Sequence, residues 1–111
     1  MEDPIIIFST ASSRQEAQRI ARTLVEENLA ACVQIVPGVE SVYFWQGKLR
    51  DEPEWLLIIK SRALLFEKAA GRIRSLHSYD VPEIVSVSIA LGSDDYLRWM
   101  EASLNPQKDH P

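Results

Sequence analysis

The segment Ala31–Ser61, ACVQIVPGVESVYFWQGKLRDEPEWLLIIKS, limits the fold more than any other part of the chain. It holds two long runs of β-branched and aromatic residues, the types that fit a pleated, half-buried surface, joined at Gln46-Gly47. Gly47 supplies a positive φ, and Gln46 favours a type I turn with a G1 bulge over a pure I′ turn. Pro37-Gly38 interrupts the first arm and predicts a bulge or an edge position, because proline has no N–H to give a ladder. Pro53 does the same at the start of the second arm. Each arm outruns a typical strand of about 5–6 residues. A chain of 111 residues makes one core and cannot cover both faces of such a hairpin, so a second copy of the chain is expected to cover the rest.

The flanking segments supply helices and strands in alternation. Ile5-Ile6-Ile7-Phe8 reads as a strand buried on both faces. Ser12 with Gln15, or Ser13 with Glu16, offers a capping box. Ala17, Ile20, Ala21, Leu24 and Val25 then recur at helical spacing, and Asn28-Leu29 suits a Schellman stop. A second helix is predicted over Leu64–Leu76, with Phe66, Ala69, Ile73 and Leu76 on one stripe. The loop HSYDVPE, residues 77–83, leads to a half-solvated edge strand from Ile84 to Ala90. A third helix follows Gly92-Ser93-Asp94-Asp95 and stops at Asn105-Pro106. The order βαββαβ plus a C-terminal helix predicts an α+β, ferredoxin-like sandwich with a long hairpin. Residues 1–104 form its one domain, and 105–111 are expected to be a disordered tail.

Net charge is -4, which gives no footprint for nucleic acid and makes an anionic membrane a poor partner. The apolar runs Ile5–Phe8 and Trp55–Ile59 are too short to cross a bilayer. The start MEDPIII lacks a signal-peptide core, and Cys32 is the single cysteine. Together these predict a reduced, cytoplasmic setting.

Beside this reading stands a resemblance. Leu29-Ala-Ala-Cys-Val33, Ser41-Val-Tyr-Phe-Trp45, Gly47-Lys48, Ile59-Lys60-Ser61, the 77–83 loop and Tyr96-Leu-Arg-Trp99 stand in the order found in the CutA divalent-cation tolerance proteins. The chain resembles that family from about Ile5 to Leu104. The resemblance implies a cytosolic homotrimer built like the PII signalling proteins, linked to metal tolerance, with copper or other divalent ions as ligands and no assigned reaction. Here His77-Ser78-Tyr79 replaces the usual His-Pro-Tyr. Some similar bacterial proteins carry a cysteine where this chain has Ser9 and a histidine where it has Leu76, and these join the match of His77 as proposed copper ligands.

Three residues are therefore candidate metal ligands: His77, Glu83 and Cys32. Against this, His77 suits a helix C-terminus, Glu83 can accept backbone donors, and Cys32 sits between Ala31 and Val33 like a small buried hydrophobe. Tyr43, Phe44, Trp45 and Trp55 are expected at the subunit interface rather than as a stacking platform. Lys60 ends a strand, and the pairs Glu26-Glu27 and Asp51-Glu52 read as solvated surface. The functional expectation is a trimeric divalent-cation tolerance protein that binds ions weakly and is not an enzyme. The alternative is a PII-like sensor of a small metabolite bound between subunits.

Overall fold

The computed structural model describes residues 1–106, so the 105–111 tail lies mostly outside the described residues. The elements are β1 (Pro4–Ala11), α1 (Arg14–Glu26), β2 (Cys32–Trp45), β3 (Lys48–Arg62), a 3₁₀ turn at Ala63–Leu65, α2 (Phe66–Leu76), β4 (Val85–Ser88) and α3 (Asp94–Ser103). They form one antiparallel sheet in the order β2-β3-β1-β4. The α+β, ferredoxin-like arrangement follows, with β3 and β1 central.

Local chemistry sets the ends of α1. Ser13 Oγ accepts the Glu16 N–H at 3.1 Å. At the other end Asn28 takes a φ of 61°, and the Leu29 N–H reaches the Leu24 carbonyl at 2.8 Å. The Asn28 N–H bonds the Val25 carbonyl at 3.1 Å, which completes a Schellman stop.

Register assigns the two faces of the sheet. Ile7 opposes Ile59, which opposes Val33, and Ser9 opposes Leu57. Ile7, Ile59 and Leu57 are fully buried beneath Ile20 and Leu24 of α1 and Ile73 of α2. On the opposite face Ile6, Phe8, Leu56 and Ile58 are only half-buried. The Ile5–Phe8 run therefore lies beneath α1 and α2 on one side only. β4 corrects a second expectation: it spans four residues, and all four are exposed. Val85 and Val87 pair with Phe8 and Ile6, so the valines lie on the face away from α1 and α2, while Ser86 and Ser88 lie on the side of those two helices. Alternation in sequence separates the two faces but does not say which one the helices cover.

The hairpin turn also differs from expectation. Gln46 and Gly47 have φ of 52° and 77°, and Trp45 pairs directly with Lys48. Positive φ at both central residues of a two-residue loop is the I′ pattern, which matches strand twist well enough to override the poor fit of Gln46. The interruption at Pro37-Gly38 is a bulge, with the register shifting between Val36 and Val39 and Gly38 at φ 76°.

Beyond the Ala11–Trp55 pair, β3 has among the described residues only β2 as a neighbour. Val39–Trp45 and Lys48–Glu54 thus form a two-stranded ribbon projecting from the core, and the molecule measures 51 × 27 × 23 Å. Alternation puts Val42, Phe44 and Leu49 on one face of the ribbon and Ser41, Tyr43, Trp45 and Glu54 on the other. Phe44 is 73% exposed and Leu49 64%. Trp55, at the root, is half-buried and packs against the chain's own core.

Candidate functional site

The loop 77–83 leaves the end of α2 and passes the end of β1 on its way to β4. His77 fixes it there. The His77 side chain is entirely buried; its Nε2 lies 2.6 Å from the Thr10 carbonyl, and its Nδ1 accepts the Tyr79 N–H at 3.0 Å. A carbonyl at Nε2 and an N–H at Nδ1 define the neutral Nε2–H tautomer. Glu16 of α1 sits beside the ring, 94% buried, with Oε1 3.7 Å from Nδ1 and Oε2 accepting the Ser78 N–H at 3.1 Å. Oε1 itself has no hydrogen-bond partner. The residue whose spacing suggests a capping box thus spends its carboxylate on the loop.

Tyr79 carries the connection to the ribbon. Its hydroxyl donates to Glu54 Oε2 at 2.8 Å, and Ser41 Oγ donates to Glu54 Oε1 at 2.6 Å. Burial, with the Glu54 carboxylate it donates to, pushes the Tyr79 phenol well above its ordinary pKa, so it stays a donor at any physiological pH. Between loop and ribbon lies a cavity of about 650 Å³ lined by Thr10, Ser41, Val42, Tyr43, Trp45, Glu54, Tyr79, Asp80, Val81 and Glu83.

The candidate ligands do not converge. Glu83 is exposed on the cavity wall. His77 is buried beside the cavity, with both ring nitrogens engaged. Cys32 opens β2 and pairs with Lys60, while the cavity lies past the other end of the β1–β3 ladder. Among the described residues no three His, Cys, Asp or Glu side chains stand together as a metal-holding group. Ser9 is fully buried on the face covered by α1 and α2. Lys60 Nζ donates to Gln34 at 3.1 Å and reaches the Tyr96 hydroxyl at 3.4 Å, which ties it to α3. Of the four interface candidates, Tyr43 and Trp45 line the cavity, Phe44 faces away from it, and Trp55 packs inward. Glu54, Thr10 and Asp80 stand in no motif of their own, and Glu16 reads in sequence only as a capping residue. The one available signal was Glu54 alternating in register with Leu56 and Ile58, a charge within a strand pattern.

The profile of the family described as CutA1 divalent ion tolerance protein matches residues 5–103. The divalent-cation tolerance protein CutA of Thermus thermophilus is 47% identical over 100 residues, which cover 90% of this chain and 95% of that protein. The protein of Arabidopsis thaliana named CutA, chloroplastic, is 46% identical over 99 residues, or 89% of this chain. The chain spans 54% of that relative's length, about half. The crystal structure of CutA from Xylella fastidiosa superposes with a TM-score of 0.91 at 39% identity, covering 94% of this chain and all of that one. Among the described residues no helix is long and apolar enough to cross a membrane.

Proposed function

This chain belongs to the CutA1 divalent ion tolerance protein family, and from that premise we propose that it works as a non-catalytic, ion-responsive homotrimer. The projecting ribbon carries this reading. A two-stranded hairpin is marginal in water by itself, yet this one presents Val42, Phe44 and Leu49 on one face. Copies closed in a ring bury that face without growing into a filament. The single cysteine, Cys32, supports a reduced, cytoplasmic setting as part of this proposal.

Divalent ions bind weakly and through oxygen. Glu83, with Asp80 beside it on the cavity wall, is the exposed ligand; His77 holds the loop in place, and Cys32 stands apart. Copper(II) prefers nitrogen and sulfur donors, and among the described residues no His or Cys lines the cavity. A non-catalytic role is in keeping with a family described by ion tolerance and not by a reaction.

Calorimetric titration with copper(II) is expected to give a dissociation constant in the micromolar range or weaker, and Glu83→Gln to weaken it further. Stoichiometric binding at nanomolar copper, unchanged in Glu83→Gln, would refute this assignment. The cavity favours the second reading, a PII-like sensor of a small metabolite, since its volume lies in the range of small-molecule sites.

A further inference from the structure

The cavity beside the ribbon has a chemistry that weak ion binding at its mouth does not need. Its walls carry three carboxylates, Glu54, Asp80 and Glu83, and three aromatic rings, Tyr43, Trp45 and Tyr79. Among the described residues no Lys, Arg or His contributes to the lining. Glu54 is 5% exposed, and among the described residues no cationic side chain stands within ion-pair distance of it. Its oxygens are held by hydroxyl groups only, one each from Ser41 and Tyr79. A carboxylate oxygen has two lone pairs, so each can still accept a donor from the cavity. A buried anion without a counter-charge is costly, and a cation that enters relieves that cost.

The spacing of the carboxylates restricts the cation. They form no cluster able to grip one ion. A bare metal ion needs its ligands within about 2.0–2.6 Å and so cannot use all three walls at once. A cation with charges spread along an apolar stem can. Its ammonium groups reach separate carboxylates, and its stem lies along ring faces that attract cations. The geometry points to an aliphatic di- or polyamine as the occupant of this cavity. One ammonium group meets buried Glu54, and another meets Asp80 or Glu83 at the exposed wall. This goes beyond the metal-ion reading and does not rest on it, since the aromatic walls and Glu54 play no part there.

Spermidine and putrescine titrated calorimetrically into the full chain at physiological salt, where surface attraction is screened, test the inference. Saturable binding at one amine per chain is expected, with Glu54→Gln weakening it roughly tenfold or more, as loss of a buried charge partner does. If Glu54→Gln fails to fold, the exposed pair Asp80→Asn with Glu83→Gln must weaken binding instead. No saturable heat from either amine overturns the inference. So does equal competition by magnesium chloride at matched concentration, or binding unchanged in whichever of the two variants folds. Copper binding with silent amines sinks this inference alone; amine binding with silent copper supports it and sinks the ion reading alone.

Discussion

Light scattering coupled to size exclusion is expected to give a mass near three times the 12.6 kDa of one chain at micromolar concentration. The expectation comes from the ribbon, whose Val42, Phe44 and Leu49 are 63%, 73% and 64% exposed. Burying such a side chain is worth about 1.5–3 kcal/mol, and a three-fold ring repeats each contact three times. Phe44→Glu combined with Leu49→Glu puts a charge at the centre of each seam and should return a monomer. Trp55→Ala should act differently. Its ring packs on the chain's own core, so its loss falls on the fold itself, on the order of 3 kcal/mol. A wild-type mass near one chain ends the ring argument. A stable dimer ends its three-fold geometry, and a trimer untouched by the double charge moves the seam off the ribbon.

The second large effect concerns His77. His77→Ala removes a buried donor to the Thr10 carbonyl and leaves the Tyr79 N–H without its acceptor. It also leaves the buried Glu16 carboxylate facing a void. Two lost buried hydrogen bonds at about 1–2 kcal/mol each predict a stability loss of roughly 2–4 kcal/mol. The measure is the denaturant midpoint at fixed protein concentration, because assembly and folding are linked. Copper affinity should change little. The opposite pattern, an unchanged midpoint with copper binding abolished, would make His77 a ligand and not a latch.

The sequence made local features legible where neighbouring residues decide them. Asn28-Leu29 ends α1 by backbone geometry alone, and Pro37-Gly38 disrupts the ladder wherever it is placed. The unbroken apolar runs Ile5–Phe8 and Trp55–Ile59 belong to β1 and β3, the two central strands. The turn at Gln46 was misjudged because strand twist, a property of both arms, outweighs one residue's preference. The cavity was illegible for a deeper reason. Glu16, Glu54 and Tyr79 lie far apart in the chain and meet only because the 77–83 loop passes the end of the sheet. His77 was visible as a chemical group, but its burial depends on the Thr10 carbonyl of a different strand.

Among the described residues the ribbon's pairing is internal to one hairpin, and no third strand supports it beyond Ala11 and Trp55. In a single chain its amides can open by fraying while the rest of the sheet stays closed. Slow hydrogen exchange between Val42 and Leu49 therefore cannot come from the fold of one chain. Protection there reads out the presence of a neighbour, while protection at Ile7 and Ile59 reads out the core, so a single exchange map separates association from folding.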